Sequence, residues 1–205
     1  MKGRGFLITI LTVLLAATFA AGDARAAITC GRTVTANIVA IDQPVLFNRL
    51  GASNVNGMIF ALRRDVINMD SFLTLNNGGA ATPGNVMLRP DKRPRPLVLR
   101  VREGDCLTVN LENLLALAPN PNNLATDQFT VLIDEQVADR HVSFHVSGMQ
   151  LVDGIQSDGS YVGANVTDST VPQGGSTSYQ LYAEHEGVFT ATSYGATLGS
   201  DANQG

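Results

Sequence analysis

The chain has no tryptophan, two cysteines, three histidines and only 16% charged residues, and each scarcity removes a class of chemistry. No serine sits in a nucleophile elbow and no cysteine lies near a histidine, so a Ser–His–Asp hydrolase triad would rest on composition alone. The glycine-rich stretches lack the strand and helix that flank a phosphate loop. There is no internal repeat, and few apolar residues recur at the 3.6-residue period of a helix. Basic excess is also missing: the formal net charge is −4. After Ala21 no apolar run approaches the ~20 residues that a membrane-spanning helix needs.

What is present begins with a leader. Lys2 and Arg4 precede the apolar run Phe6 to Ala21, and Ala24-Arg25-Ala26 puts small residues at the two positions a signal peptidase reads. Residues 1–26 therefore read as a secretory signal, and the mature chain as periplasmic or secreted. Removing the signal takes away Lys2, Arg4, Arg25 and Asp23, a net +2, so −4 becomes −6 for the mature part. Nucleic acid and anionic membrane both require a basic face, so neither is expected as a partner. Cys30 and Cys106 are exported into an oxidising compartment, where a bond between them would close a long loop. The other reading makes Cys106 a small buried hydrophobe and Cys30 a free thiol. Ile28-Thr29 lacks the small residue expected before a lipid-anchored cysteine.

The rest of the chain reads as short strands joined by Gly, Pro and Asn turns. Thr33 to Ile41 alternates Val34, Ala36, Ile38 and Ala40 against Thr35, Asn37 and Val39. Val45 to Asn48 and Met58 to Leu62 are two further candidates, with a tight turn at Asn56-Gly57 before the second. Arg63 to Thr82 carries no clear pattern, and the basic run Arg89 to Pro96 reads as a proline-stiffened connector. Leu97, Leu99 and Val101 share one face. They lead through Glu103-Gly104-Asp105 into Cys106 to Asn113, which predicts a hairpin. A helical turn at Leu114 to Ala118 and a strand at Phe129 to Asp134 come next. Val142, Phe144 and Val146 alternate, as do Tyr179 and Leu181, and a second hairpin is expected at Glu186-Gly187. The total predicts an all-β Greek-key sandwich or barrel.

Three pieces, in order, resemble the N-terminal cupredoxin (plastocyanin-like) domain of secreted bacterial multicopper oxidases. They are Leu97 to Asn113; His145-Val-Ser147-Gly148 with Asp153-Gly154 behind it; and Pro172-Gln-Gly-Gly175 through Tyr179 and Gly187 to Tyr194. The resemblance covers Arg95 to Tyr194, about half of the chain. Ile41 to Gly51 is similar to the N-terminal extension of such proteins. The implied organisation is a signal at 1–26, strands and loop extension at 27–94 and a cupredoxin-like core at 95–205, lacking its closing strand after Leu198.

The resemblance also implies ligands. In the family two His-x-His elements give imidazoles to a three-copper cluster. Here His145 falls on the first histidine, Ser147 on the second, and Thr192 and Tyr194 on the other two. His145 is thus the one candidate metal ligand. Hydroxyls are poor copper ligands beside imidazole, and no cysteine follows Cys106 to make a type 1 site. In a regular strand His141 and His145 would stand ~13 Å apart. They and His185 would not share one ion, and the expectation for His141 and His185 is surface. Asp153 and Asp158 are explained by their Asp-Gly turns. No catalytic residue is assigned.

Three readings follow: a scaffold domain, whole or truncated, of a larger copper oxidase whose other domains bind the metal; a self-standing metal-free binding or structural module; or a copper enzyme completed by another chain. Expected partners are further cupredoxin domains, or a second copy meeting an open sheet edge. The mature N-terminus is expected at Ala27, which mass spectrometry of the exported protein checks; recovery of soluble protein still carrying Met1 would refute it.

Overall fold

A computed structural model describes residues 27–54, 57–116, 140–160 and 170–195. Among these the elements are strands and 3-10 turns, with no α-helix. One five-stranded mixed sheet contains β1 (Thr33–Asp42), β4 (Met58–Leu62), β7 (Cys106–Asn113), β9 (Gln150–Leu151) and β10 (Ser176–Tyr182), in the order β4-β1-β7-β10-β9. β1 runs parallel to β7, while β4, β10 and β9 join by antiparallel ladders. Three small ladders flank it: β2 (Val45–Leu46) with β3 (Ser53–Asn54), β5 (Val66–Asn68) with β6 (Val86–Leu88), and β8 (His145–Val146) with β11 (Ala191–Thr192). The architecture is an all-β sandwich.

The main core lies between the large sheet and the β8–β11 layer. Ile38, Ala40, Leu107, Val109, Leu111, Tyr179 and Leu181 of the sheet face Val142, Phe144 and Val146. The Phe144 ring spans the gap, its centroid 5.9 Å from that of Phe60 and 6.3 Å from that of Tyr179. A second core covers the opposite face of β1 and β4, where Val39, Ile41, Ile59 and Ala61 meet Val66, Leu75, Val86 and Leu114. This corrects the simple alternation of β1: Ile38 to Ile41 are all buried because both faces of the strand are covered. β5 and β6 supply that cover; β5 arises within Arg63 to Thr82, where no period is legible, and β6 in the short stretch between Gly84 and Arg89.

Both expected hairpins are also corrected. Leu97, Leu99 and Val101 do pack on the main core, but residues 97–101 form no strand, because β1 and β10 already take both edges of β7. Only the turn survives, closed by Asp105 N–H to the Arg102 carbonyl (3.0 Å) with Gly104 at φ 82°. At Glu186-Gly187 the chain leaves β10 and crosses to the other layer, so β11 pairs β8 instead. The tight turn expected at Asn56-Gly57, the strand expected at Phe129 to Asp134, the end of the turn at Leu114 to Ala118, the signal and the chain's end lie wholly or partly outside the described residues.

Two fastenings hold this frame. At one end of the sheet Cys30 and Cys106 form a disulfide, with Cα atoms 5.4 Å apart and a separation of 76 residues, worth roughly 4 kcal/mol in the chain-entropy model. Arg32 donates to the buried Asp105 carboxylate (3.0 Å) beside it. At the other end the fully buried Asn113 amide donates to the Arg140 (2.7 Å) and Val171 (2.8 Å) carbonyls and accepts from Leu115 N–H (3.1 Å). Asp42 receives Arg140 (2.7 Å) and Ala116 N–H (2.8 Å). Asn113→Ala strands buried carbonyls and an N–H, and is expected to cost about 3 kcal/mol or more. The exposed Asn110→Ala should cost less than about 1 kcal/mol by the same reasoning. Denaturant unfolding of both variants checks this; equal losses would remove the special weight given to Asn113.

Candidate functional site

The β8–β11 ladder places its residues by the two-residue period of a strand. Val146 turns into the core, so His145 and Ser147 turn together toward the other side. Thr192 stands directly opposite His145 in the register. Tyr194 is drawn in by its N–H to Ser143 Oγ (2.8 Å), while Ser193 Oγ accepts Ser143 N–H (3.1 Å). Its ring meets the His145 ring edge-on at 5.4 Å and 83°. The four positions singled out by the resemblance, His145, Ser147, Thr192 and Tyr194, therefore meet at one corner.

A fifth residue joins them that sequence reasoning missed. Asp158 Oδ1 lies 2.6 Å from His145 Nδ1, with both side chains mostly buried. It arrives through the 3-10 turn Gly154–Ser157, and Gly159 lets it approach: a Cβ there would lie 2.4 Å from the Phe144 carbonyl oxygen. Asp158 accepts Ser160 N–H (2.9 Å) at Oδ1 and Ser160 O–H (2.8 Å) at Oδ2. Burial works against its charge, but the hydrogen bonds from Ser160 and His145 and the attraction of His145 outweigh that. The carboxyl is held below its ordinary value. The signal was the second Asp-Gly, thirteen residues after His145; turn chemistry explains the backbone there and leaves the carboxylate's target open.

Asp158, His145 and Ser147 stand in the order of a Ser–His–Asp relay, a grouping that no motif in the sequence marks. The exposed Ser147 hydroxyl is 3.5 Å from His145 Nε2, longer than the O–H···N bond that passes a proton from a nucleophile. This arrangement holds the imidazole in place; it does not draw up the serine. The other histidines stand elsewhere: His185 is exposed beside Glu184 (3.7 Å), and His141 neighbours the Arg140 joint.

The corner also answers whether copper fits. Its donor set is one imidazole, with one nitrogen already given to a carboxylate, and three hydroxyls. Thr192 Oγ1 is buried with no hydrogen-bond partner among the described residues, where the resemblance would put another imidazole. Hydroxyl oxygen is a weak donor to copper at neutral pH. Among the described residues no three His, Cys, Asp or Glu side chains are grouped to hold an ion. The residues do not fit the copper cluster.

No protein-family model matches the chain, and no curated protein matches it. Among solved structures it is similar to a multi-copper oxidase from Pseudomonas Thermotolerans, at 18% identity and a TM-score of 0.37, over 79% of this chain and 25% of that one. The chain thus spans about a quarter of that protein's length. Among the described residues no helix is long and apolar enough to cross a membrane.

A carboxyl whose folded pKa is lowered adds stability that is full above its unfolded value, near ~4, and fades as pH falls through the folded one. Asp158→Asn should therefore lower stability at pH 7 by about 1–3 kcal/mol, and its gap from the parent should shrink below pH ~4. Unfolding midpoints from pH 7 to pH 2.5, taken in about half-unit steps, check this; a gap that stays constant would show that the carboxylate is not held by these bonds.

Proposed function

We propose that the chain is a cupredoxin-like scaffold domain of an exported protein related to multicopper oxidases, with no complete copper site of its own. The observation that carries this is the His145 corner. The imidazole there is tied to Asp158 through Nδ1, and hydroxyls occupy the three positions where the resemblance calls for histidine. The corner acts as a hydrogen-bonded joint between the β8–β11 layer and the turn at Asp158. Catalysis and copper belong, in this reading, to other domains. Contact with such a domain, or with a second copy, would use an open edge of the large sheet, where β4 and β9 are the outer strands.

Copper titration followed by desalting and atomic absorption tests the reading. The parent protein should retain well under one copper per chain, and His145→Ala should leave that unchanged. The combined Ser147→His, Thr192→His and Tyr194→His variant is expected to gain copper, as four imidazoles suit the metal. Stoichiometric copper on the parent protein, lost on His145→Ala, would overturn the scaffold reading.

A further inference from the structure

The connector Arg89 to Pro96 does more than join two segments: with the residues after it, it forms one wall of a cleft of about 440 Å3. The facing wall is Ile59 to Leu62, the outermost strand β4 of the large sheet. Five cations line the space, Arg64, Lys92, Arg93, Arg95 and Arg100, against one carboxylate, Asp65. Asp65 is already shared between Lys92 (3.5 Å) and Arg64 (3.9 Å), and Lys92 also meets Asp91 (3.8 Å). Arg93, Arg95 and Arg100 are exposed and meet no carboxylate among the described residues. In a chain whose net charge is −4, three guanidiniums without counter-charge around one opening make a local field that attracts an anion.

The main chain narrows the choice of anion. Among the described residues β4 pairs with β1 alone, so its other edge offers N–H and C=O groups with no described partner. Residues 93–101 make no backbone hydrogen bond among the described residues, although Leu97, Leu99 and Val101 anchor that segment on the core. An extended peptide can satisfy such groups along an edge, and its side chains then alternate between the two faces. The five residues of β4 offer ~17 Å of edge. Carboxylates on the outward-facing positions would meet the guanidiniums, and apolar residues between them would lie against Leu62, Leu97 and Val98.

We propose that this cleft binds an extended acidic peptide segment of a partner protein, which adds as a strand to the free edge of β4 and is held by Arg93, Arg95 and Arg100. The cleft involves none of the residues at the His145 corner, so this proposal and the copper-free reading of that corner stand or fall separately, although the β4 edge is also one of the two edges that contact with another domain would use.

The probe is a fluorescein-labelled hexapeptide of alternating Glu and Val, titrated with the exported protein and read by anisotropy. Saturable binding is expected, weakened by added salt as screening requires. It should fall at least tenfold when alternate peptide nitrogens are methylated, because the edge hydrogen bonds are then lost, and at least tenfold when Glu is replaced by Lys. The exposed Arg93→Glu, Arg95→Glu, Arg100→Glu variant should lose the same factor with an unchanged unfolding midpoint. The methylated peptide probes the parent protein, so the test does not depend on that variant folding. No saturable binding would overturn the proposal. So would equal binding of the methylated peptide, or its displacement by tripolyphosphate at the same affinity, since either would make the cleft a plain anion site.

Discussion

Everything in the second layer of this sandwich depends on the buried amide of Asn113. β7 runs through the middle of the large sheet, and at its end the chain must leave for the opposite layer without exposing apolar surface or stranding backbone polar groups. The Asn113 side chain resolves this by bonding three backbone groups at once: the carbonyls before β8 and before β10, and the N–H of Leu115. A buried amide with its partners in place costs little, and one without them costs several times more. Arg140 adds a charged tie to Asp42 at the same spot, with its guanidinium also on the Ala116 carbonyl. The segment that carries Val142, Phe144 and His145 therefore starts from a fixed point.

From that point the His145 corner is a consequence of strand geometry. Val142, Phe144 and Val146 are committed to the core, so His145 and Ser147 have only the other face. The β8–β11 register then fixes what His145 meets, and Gly159 fixes what approaches from below. One carboxylate, one imidazole and several hydroxyls in such a corner can hold a turn against a sheet. They lack the set of neutral imidazoles that gives copper its affinity. The cleft beside β4 has the opposite character, since its cations exceed its carboxylates and, among the described residues, its main chain is unpaired on both walls. The corner is tied by hydrogen bonds, with Thr192 Oγ1 left over, and the cleft is open.

The all-β class, the first strand, the core faces of residues 97–101 and 142–146 and the meeting of His145 with Ser147, Thr192 and Tyr194 were legible because each rests on a local period or on motif order. The hairpin at 97–113 was not. A strand, a Gly turn and a strand satisfy every local rule for pairing, yet β7 has two edges, and strands distant in sequence fill both. The same competition moved β11 from β10 to β8. Val39 stood with Thr35 and Asn37 on the polar side of β1 in the sequence, yet β5 and β6 cover it, and β5 lies where no period is visible.

Composition and periodicity, on their own, determined that this acidic chain folds into short strands around apolar stripes; only the resemblance to a cupredoxin domain implied which positions would be copper ligands, and there the sequence holds one histidine and three hydroxyl side chains. Tertiary structure alone decided which strands are neighbours, that Asp158 reaches His145, and that the arginines of the connector face a free sheet edge. The reason is physical. A side chain's face follows from its own strand's two-residue pleat, whereas its partner follows from which distant segments win the limited hydrogen-bonding edges of the sheet.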